Sequence, residues 1–470
     1  MILVGSSALC GFTLYLLVKY LTKNTAAALL AGSMWMMSYS HITQAYIQLL
    51  PLWWLPLIFL IAEKIRRGEW KRRIWWLSVV IFMQLTVGIY VAMYSVISFS
   101  IYVAILGLFK MINKDVLIKY IKAWLVAGLI AIPIYAPSLI LNFARPTVRG
   151  LNEQASLSWS NIYPIRAPGV LWQRALIKLG HPPGPDLAYY TLGILMSVLV
   201  VIGIGYGIYR LVKLKKLSRA HALPIAFLVI GLFSLAAALG PYIYLPGGHR
   251  VYNVVFLVPY IILPGFKVMR LALRWQFIAI FGLAIFSSYF VAKLLLPLRA
   301  WKQLLIAIAA IAFIFVEQAP WNSVGGHTAP KLSDEPVYEW LSKQPGTFAI
   351  AELPIYPGVY VKENDEMEGK RLYYQTMSGW HPRVSGAYSP FIPKAYPSKA
   401  STYNSLGEDQ KAIQELKRIN VKYVLFFPED YETLGWGKAA ADSKKALLDR
   451  VSYLKTVFTS SKGTVYEVIY

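Results

Sequence analysis

The residues best suited to chemistry in this chain are basic. Arg145 and Arg149 follow one apolar segment, while His249, Arg250, Lys267, Arg270 and Arg274 surround two Pro-Gly steps, Pro246-Gly247 and Pro264-Gly265. Guanidinium groups offer several directed donors to one anion, so this set suits the phosphate of a lipid carrier. The competing reading is that these side chains snorkel, set the depth of the segments that bear them and hold phospholipid headgroups without selectivity. Arg270 and Arg274 favour the clamp most, because the Pro264-Gly265 step would hold them rigidly.

A transfer site built on such a clamp also needs a base near its acceptor. Away from the basic loops described below, the acids of the apolar part are Glu153, Asp186 and Glu317. Glu153 beside Arg149 is a candidate base, and equally an ordinary exposed ion pair. Asp186 follows "HPPGP" and precedes an apolar segment, where a turn or helix cap explains it as well. Glu317 closes the last apolar run. Further on, Tyr374 and His381, with Tyr373 and Arg383, could line a carbohydrate-facing surface, since aromatic faces with polar tips suit sugar rings. The plainer alternative is a structural corner at Trp380-His381-Pro382. No metal cluster and no Walker, dinucleotide or zinc spacing occurs, so no cofactor is assigned; a divalent metal ion is the one candidate. Cys10 is the sole cysteine, which excludes an intrachain disulfide.

The elements that would position these residues are membrane helices. The 470 residues are 57% hydrophobic and 15% charged, with a mean hydropathy of +0.49, against about half apolar and a quarter charged in soluble domains. Through Glu317 there are 29 Lys and Arg against 6 Asp and Glu; from Gln318 onward the balance is 18 against 17. The basic excess therefore belongs to connections between apolar runs, where it orients helices, and is no nucleic-acid footprint. Runs able to cross about 30 Å of hydrocarbon occur at roughly 2–21, 26–43, 48–63, 74–92, 95–111, 121–142, 187–209, 223–245, 274–292 and 302–317. The expected fold is a polytopic α-helical membrane protein of about ten spans, residues 1–317, with an outer loop at 143–186.

Short basic connections belong in the cytoplasm. "EKIRRGEWKRR" (63–73), "KMINKDVLIKYIK" (110–122) and "RLVKLKKLSRAH" (210–221) fix that side, which leaves residues 143–186 and the end of the 223–245 segment outside. The stretch 246–273 then decides the rest. Its uncharged run between Arg250 and Lys267 has sixteen residues, broken by Pro259 and Pro264, whereas a straight span needs about 20. A re-entrant or interfacial element is expected, which puts "KLLLPLRAWK" (293–302) inside and the tail outside.

Residues 318–470 change character. "EPVYEWLSKQ" and "GEDQKAIQELKRI" read as helices, "TFAIAELPI" and "VKYVLFF" as strands, and "LKTVFTSSKGTVYEVIY" as a hairpin turning at Lys462-Gly463. An extracytoplasmic α/β domain with its own core is expected. Paired tryptophans at 53–54 and 75–76 fit an interfacial belt.

Three stretches together resemble a known family. "YLLVKYLTKNTAAALLAGSMWMMSYSHITQAYIQLLPLWWLPLIFLIAEKIRRG" is similar to the early helices of bacterial multi-pass proteins related to glycosyltransferase superfamily C, of the family 39-like kind. "LPGFKVMRLALRWQF" resembles their Pro-Gly-Phe, Arg, Arg element, with Leu271-Ala272 in place of the usual apolar-Pro step. "YYQTMSGWHPRVSGAYS" resembles a segment of their outer domain. The resemblance implies transfer of a sugar from a polyprenyl-phosphate carrier, with membrane lipid and an envelope glycan acceptor as partners and no nucleic acid. It also implies that the sequence begins after the first helix and after the outer loop that carries the family's acidic residue, commonly Asp. Glu153 and Asp186 lie in a later loop and do not match that position. The expectation is thus a glycosyltransferase-like membrane protein acting on a cell-envelope glycan. The alternative is a non-catalytic scaffold whose outer domain binds glycan or protein; transport is disfavoured by the scarcity of intramembrane carboxylates.

Overall fold

The computed structural model describes residues 2–38, 51–69, 74–144, 192–214, 218–244, 250–263, 266, 272–318, 335–355, 371, 373–376, 378–379, 381–384 and 396–469. They form two compact units, Met1–Val324 and Gly325–Tyr470.

The first unit is a helical bundle: α1 (Ile2–Thr22), α2 (Thr25–Met36), α3 (Trp54–Arg66), α4 (Ile74–Val87), α5 (Ile89–Leu108), α6 (Lys114–Ala144), α7 (Ile194–Leu214), α8 (Ala222–Ala238), a hairpin of β1 (Tyr242–Tyr244) and β2 (Arg250–Tyr252), α9 (Val254–Ile262), α10 (Gln276–Leu295) and α11 (Ala300–Gln318). Among the described residues six helices are long and apolar enough to cross a membrane: Val4–Thr22, Tyr90–Leu108, Lys114–Ala136, Arg219–Ala238, Gln276–Leu295 and Ala300–Gln318. Three shorter apolar helices, Thr25–Met36, Ile74–Val87 and Ile194–Arg210, accompany them. This is a membrane protein. The expected boundary between the fourth and fifth spans, near residue 93, falls instead at Gly88, whose extended backbone separates α4 from α5. The expected span at 223–245 ends at Ala238, because Gly240-Pro241 stops the helix and the chain enters the hairpin.

Helix α10 is the hub, buried along nearly its whole length. It packs on α8 through glycines: a Cβ on Gly282 would stand 2.6 Å from the Gly231 nitrogen and 2.7 Å from the Phe227 carbonyl. Without a side chain on either helix the backbones close in, which is how apolar helices associate in lipid. Apolar side chains left exposed on α6 and α11, such as Leu125, Leu129, Leu305 and Ile308, are in place against hydrocarbon.

Side-chain bonds define the two ends of this bundle. At one end Tyr20 of α1 donates to Glu69 at 2.7 Å beyond α3, Tyr102 of α5 reaches Glu63, and Tyr120 of α6 donates to the Ala62 carbonyl. Asn24, which caps α2 by accepting the Ala27 N–H, also donates to Gln303 of α11 at 2.9 Å. The α10–α11 connection therefore shares an end with the α1–α2 turn and the basic tail of α3. Among the described basic residues of this unit, Arg250 and Arg274 lie at the opposite end and the others at or near this one.

The disputed stretch follows from the same packing. After the hairpin, α9 has nine residues, about 14 Å of helix against 30 Å of hydrocarbon. It buries Phe256 and Tyr260 and leaves Val254, Val258, Ile261 and Ile262 exposed, one face at helical spacing. Asn253 ties its start back to α8 by donating to the Ala236 and Gly240 carbonyls at 2.7 and 2.8 Å. The helix itself is shorter than a span, and an exposed apolar face of this kind suits a membrane interface.

The second unit carries α12 (Pro336–Ser342), β3 (Ala349–Leu353), α13 (Tyr396–Asn404), α14 (Gln410–Arg418), β4 (Val421–Phe426), α15 (Pro428–Thr433), α16 (Lys438–Arg450), β5 (Leu454–Thr459) and β6 (Thr464–Val468). The sheet order is β3-β4-β6-β5, with β3 and β4 parallel and the other pairs antiparallel. A parallel pair demands a crossover, and α13 and α14 supply it. Asp409 caps α14 by accepting the Lys411 N–H at 2.9 Å. One core contains Leu353, Leu416, Val424 and Tyr466, and a second contains Val337, Tyr338, Ile350 and Leu425.

Candidate functional site

At the end of the bundle opposite the α1–α2 turn, a short 3-10 helix at Ala272–Trp275 leads into α10. Arg274 lies in this turn with only 5% of its surface exposed. Its guanidinium stands 4.9 Å from the ring centre of Tyr90, in the first turn of α5. Trp275 meets Tyr94 edge-on at 4.6 Å and Phe233 of α8 at 5.8 Å. The start of α5, the end of α8 and the start of α10 thus converge on one spot.

That spot is polar inside. Tyr94 Oη and Ser98 Oγ on α5, Ser234 Oγ on α8, and Trp275 Nε1 and Gln276 Nε2 are all buried, and none has a hydrogen-bond partner among the described residues. Each such group costs free energy in an apolar interior unless water or a ligand satisfies it. A cation enclosed with hydroxyl, indole and amide groups can hold an anion and orient its oxygen atoms.

The other candidates separate. Glu317 is 2% exposed and accepts the Ile194 N–H at the start of α7, so its carboxylate complements that helix terminus. Gly193 just before it has a φ of +80°, and a Cβ there would stand 2.9 Å from a Glu317 oxygen. The close approach is part of the cap. Arg250 is exposed in the hairpin, 4.9 Å from the Tyr242 ring. Arg149, Glu153, Asp186, His249 and Arg270 lie outside the described residues. So do Arg145 and Lys267.

In the second unit Tyr374 and His381 are each 7% exposed. Tyr374 stacks on Tyr338 at 5.3 Å, and His381 stacks on Phe348 at 3.9 Å and 16°. Each ring lies with a face against protein. Burial lowers the His381 imidazole below its ordinary range. The 381–384 segment instead extends the sheet: Ile350 donates to the Pro382 carbonyl at 2.8 Å, and Val384 to that of Ile350 at 2.9 Å.

This pairing delivers Arg383 to Glu352, a fully buried carboxylate of β3, with which it forms an ion pair. Tyr338 donates to the other oxygen of Glu352 at 2.5 Å. Burial, then the charge of Glu352, holds the Tyr338 hydroxyl well above the usual tyrosine range, so it remains a donor. Nearby, Arg371 donates to Asp430 at 2.7 Å and to the Pro354 carbonyl at 2.9 Å. Lys462 of the β5–β6 turn pairs with Glu335 at 3.3 Å. The space among these groups is about 40 Å³, room for water rather than for a sugar. The network joins α12, β3, α15 and the hairpin turn, and holds them together.

Sequence reasoning passed over Tyr94, Ser98, Ser234 and Gln276 because hydroxyls and one amide in apolar runs look like ordinary helix residues. It also passed over Glu63, although an acid at the start of a basic loop was a usable signal. Among the described residues no group of three or more His, Cys, Asp or Glu gathers as a metal site.

No protein-family model matches the chain, and no curated protein matches it. Among solved structures, the cryo-EM structure of the arabinofuranosyltransferase AftD from Mycobacteria aligns with 100% of this chain and 34% of its own, at 12% identity and a TM-score of 0.47. The chain spans about a third of the length of that protein. A likeness at this level defines neither a shared fold nor an activity.

Proposed function

We propose that this chain is a glycosyltransferase-like membrane protein that handles a polyprenyl-phosphate-linked sugar and serves modification of a cell-envelope glycan. The observation that carries the reading is Arg274, enclosed at the end of the bundle opposite the α1–α2 turn among buried polar atoms that have no hydrogen-bond partner among the described residues. A side chain that marked only the interface would keep its charge in water. This one is buried against the Tyr90 ring, and the hydroxyl, indole and amide groups around it could share an anion with it. In the proposal the bound phosphate meets Arg274, with Arg149, His249, Arg250 and Arg270 as further contacts, and Glu153 and Asp186 are the candidate bases.

The orientation is part of the proposal. Basic residues gather at the end that holds the α1–α2 turn and the α10–α11 connection, and that end is cytoplasmic by the positive-inside rule. The site, and the point where α11 ends at Gln318, then face the other side. The second unit is accordingly extracytoplasmic in this reading.

Binding tests it without requiring turnover. Detergent-solubilised protein is titrated with undecaprenyl monophosphate, and Arg274→Ala should weaken binding about 10- to 100-fold, the value of a charge-assisted hydrogen bond of about 1.5–3 kcal/mol. Arg274→Lys should fall between, because a point charge replaces a directed fork. Affinity unchanged in a correctly folded Arg274→Ala protein refutes the site. Transfer from a lipid-linked donor to an envelope acceptor, measured in the same preparations, then separates a transferase from a non-catalytic binder.

A further inference from the structure

A cleft opens at the other end of the bundle. Between the C-terminal half of α7, the start of α8 and the last turns of α10 lies a cleft of about 280 Å³. Its walls are apolar, with Ile204, Leu228, Phe286 and Phe290 among them, and its rim carries Arg210, His221 and Lys293. Gly207 lines it too, and a Cβ there would meet nothing within 4 Å. The hollow is therefore open space on the α7 face and not a packing seam.

Three observations say what fills it. Arg210 Nε is buried with no hydrogen-bond partner among the described residues, and the same holds for Tyr289 Oη on the wall. His221 Nδ1 accepts the Ser218 N–H at 3.2 Å, so its proton sits on Nε2, which is left as a donor. Lys293 stands 5.5 Å from the ring of Tyr206, which holds a second cation at the same rim. A soluble anion would have no use for the apolar walls, and a purely apolar chain would have none for three donors. Basic pockets between membrane helices on the cytoplasmic side suit anionic headgroups. The volume lies just below the range for a whole drug-sized ligand, so it fits part of one acyl chain.

We propose that this cleft binds one anionic diacyl phospholipid, with an acyl chain along Ile204, Leu228 and Phe290 and the phosphate held by Arg210, Lys293 and His221. The inference takes its orientation from the proposed function but not its sugar-transfer site, which lies at the opposite end of the bundle.

The test uses the full chain in nanodiscs of phosphatidylcholine with phosphatidylglycerol as a minor component, followed by native mass spectrometry of the lipids retained. The wild type should keep one phosphatidylglycerol in preference to phosphatidylcholine. Arg210→Ala with Lys293→Ala should reduce that preference about 30-fold, at about 1 kcal/mol per basic residue near a headgroup. Gly207→Leu, which fills the hollow and strengthens the helix, should reduce retention of both lipids while leaving the melting temperature intact. Equal retention of the two lipids by the wild type overturns the proposal. So does displacement of the retained phosphatidylglycerol by added undecaprenyl monophosphate, which would make the cleft a carrier site.

Discussion

Replacing Glu63 by glutamine removes one charge and almost no volume, and its cost can be worked from the contacts. The carboxylate has no exposed surface and accepts from Arg66 Nε and Nη2 at 2.9 Å each, from Arg67 Nε at 3.1 Å and from Tyr102 Oη at 2.5 Å. Hydrogen bonds to a charged group contribute about 1.5–3 kcal/mol and neutral ones about 0.5–1.5, so the two bonds to the oxygen that remains lose about 1 kcal/mol each, while the two to the atom that becomes an amide nitrogen, which cannot accept, are lost entirely. The Arg67 side chain is 31% exposed and recovers part of its loss from water. The sum is about 5 kcal/mol, at the upper edge of the cost of breaking a buried ion pair. Thermal unfolding in detergent should show a melting temperature several degrees below the wild type. Tyr102→Phe should cost less in the Glu63→Gln background than alone, because the two share one bond. An unchanged melting temperature, or a Tyr102→Phe effect of the same size in both backgrounds, refutes the assignment of this network as the clasp between α3 and α5.

Two further substitutions probe the packing and the second unit. Gly282→Ala should destabilise the bundle by about 1–3 kcal/mol or more, since the new Cβ meets backbone atoms at 2.6 and 2.7 Å that cannot rotate away; Gly205→Ala, which meets nothing within 4 Å, is the control in the same melt. His381 is lowered by burial, so its neutral form belongs to the fold: its contribution is present above the unfolded value near about 6.5 and is lost as the pH falls towards the folded value. His381→Phe, which keeps the stack on Phe348, should remove that part of the acid sensitivity in stability profiles across this window, and an unaltered profile counts against it.

What the sequence made legible was set by the length scale of the signal. The apolar runs, β3, β4 and the closing hairpin all declare themselves through periodicity over five residues or more. Helices α13 and α15 do not. The first has a polar sequence with no apolar face to read, and the second is six residues begun by Pro428 after a strand. The candidate site was legible through Arg274, because an arginine is conspicuous beside a Pro-Gly step. Its surroundings were not, since Tyr94, Ser98, Ser234 and Gln276 come from three helices and acquire meaning only when those helices meet. In the second unit Tyr374 and His381 have the composition of a sugar platform, while their stacking on Tyr338 and Phe348 depends on tertiary packing that composition does not carry.

The stretch from Tyr242 to Gln276 connects these results. Length argues against a crossing, and the helix described within the stretch, α9, has nine residues. The independent constraint is the hydrogen bond from Asn24 to Gln303, which joins two turns 279 residues apart at the same end of the bundle. A crossing would put the α10–α11 connection at the other end from the α1–α2 turn. In the proposed orientation Arg274 lies opposite the cytoplasmic end, against the Tyr90 ring and beside buried hydroxyl and amide groups that could share an anion with it. Labelling of a single cysteine placed at Gln303 by a membrane-impermeant thiol reagent, in a Cys10→Ser protein, should fail in intact cells and succeed in inverted vesicles. The reverse pattern would return Arg274 to the cytoplasmic side and remove the reason for a phosphate.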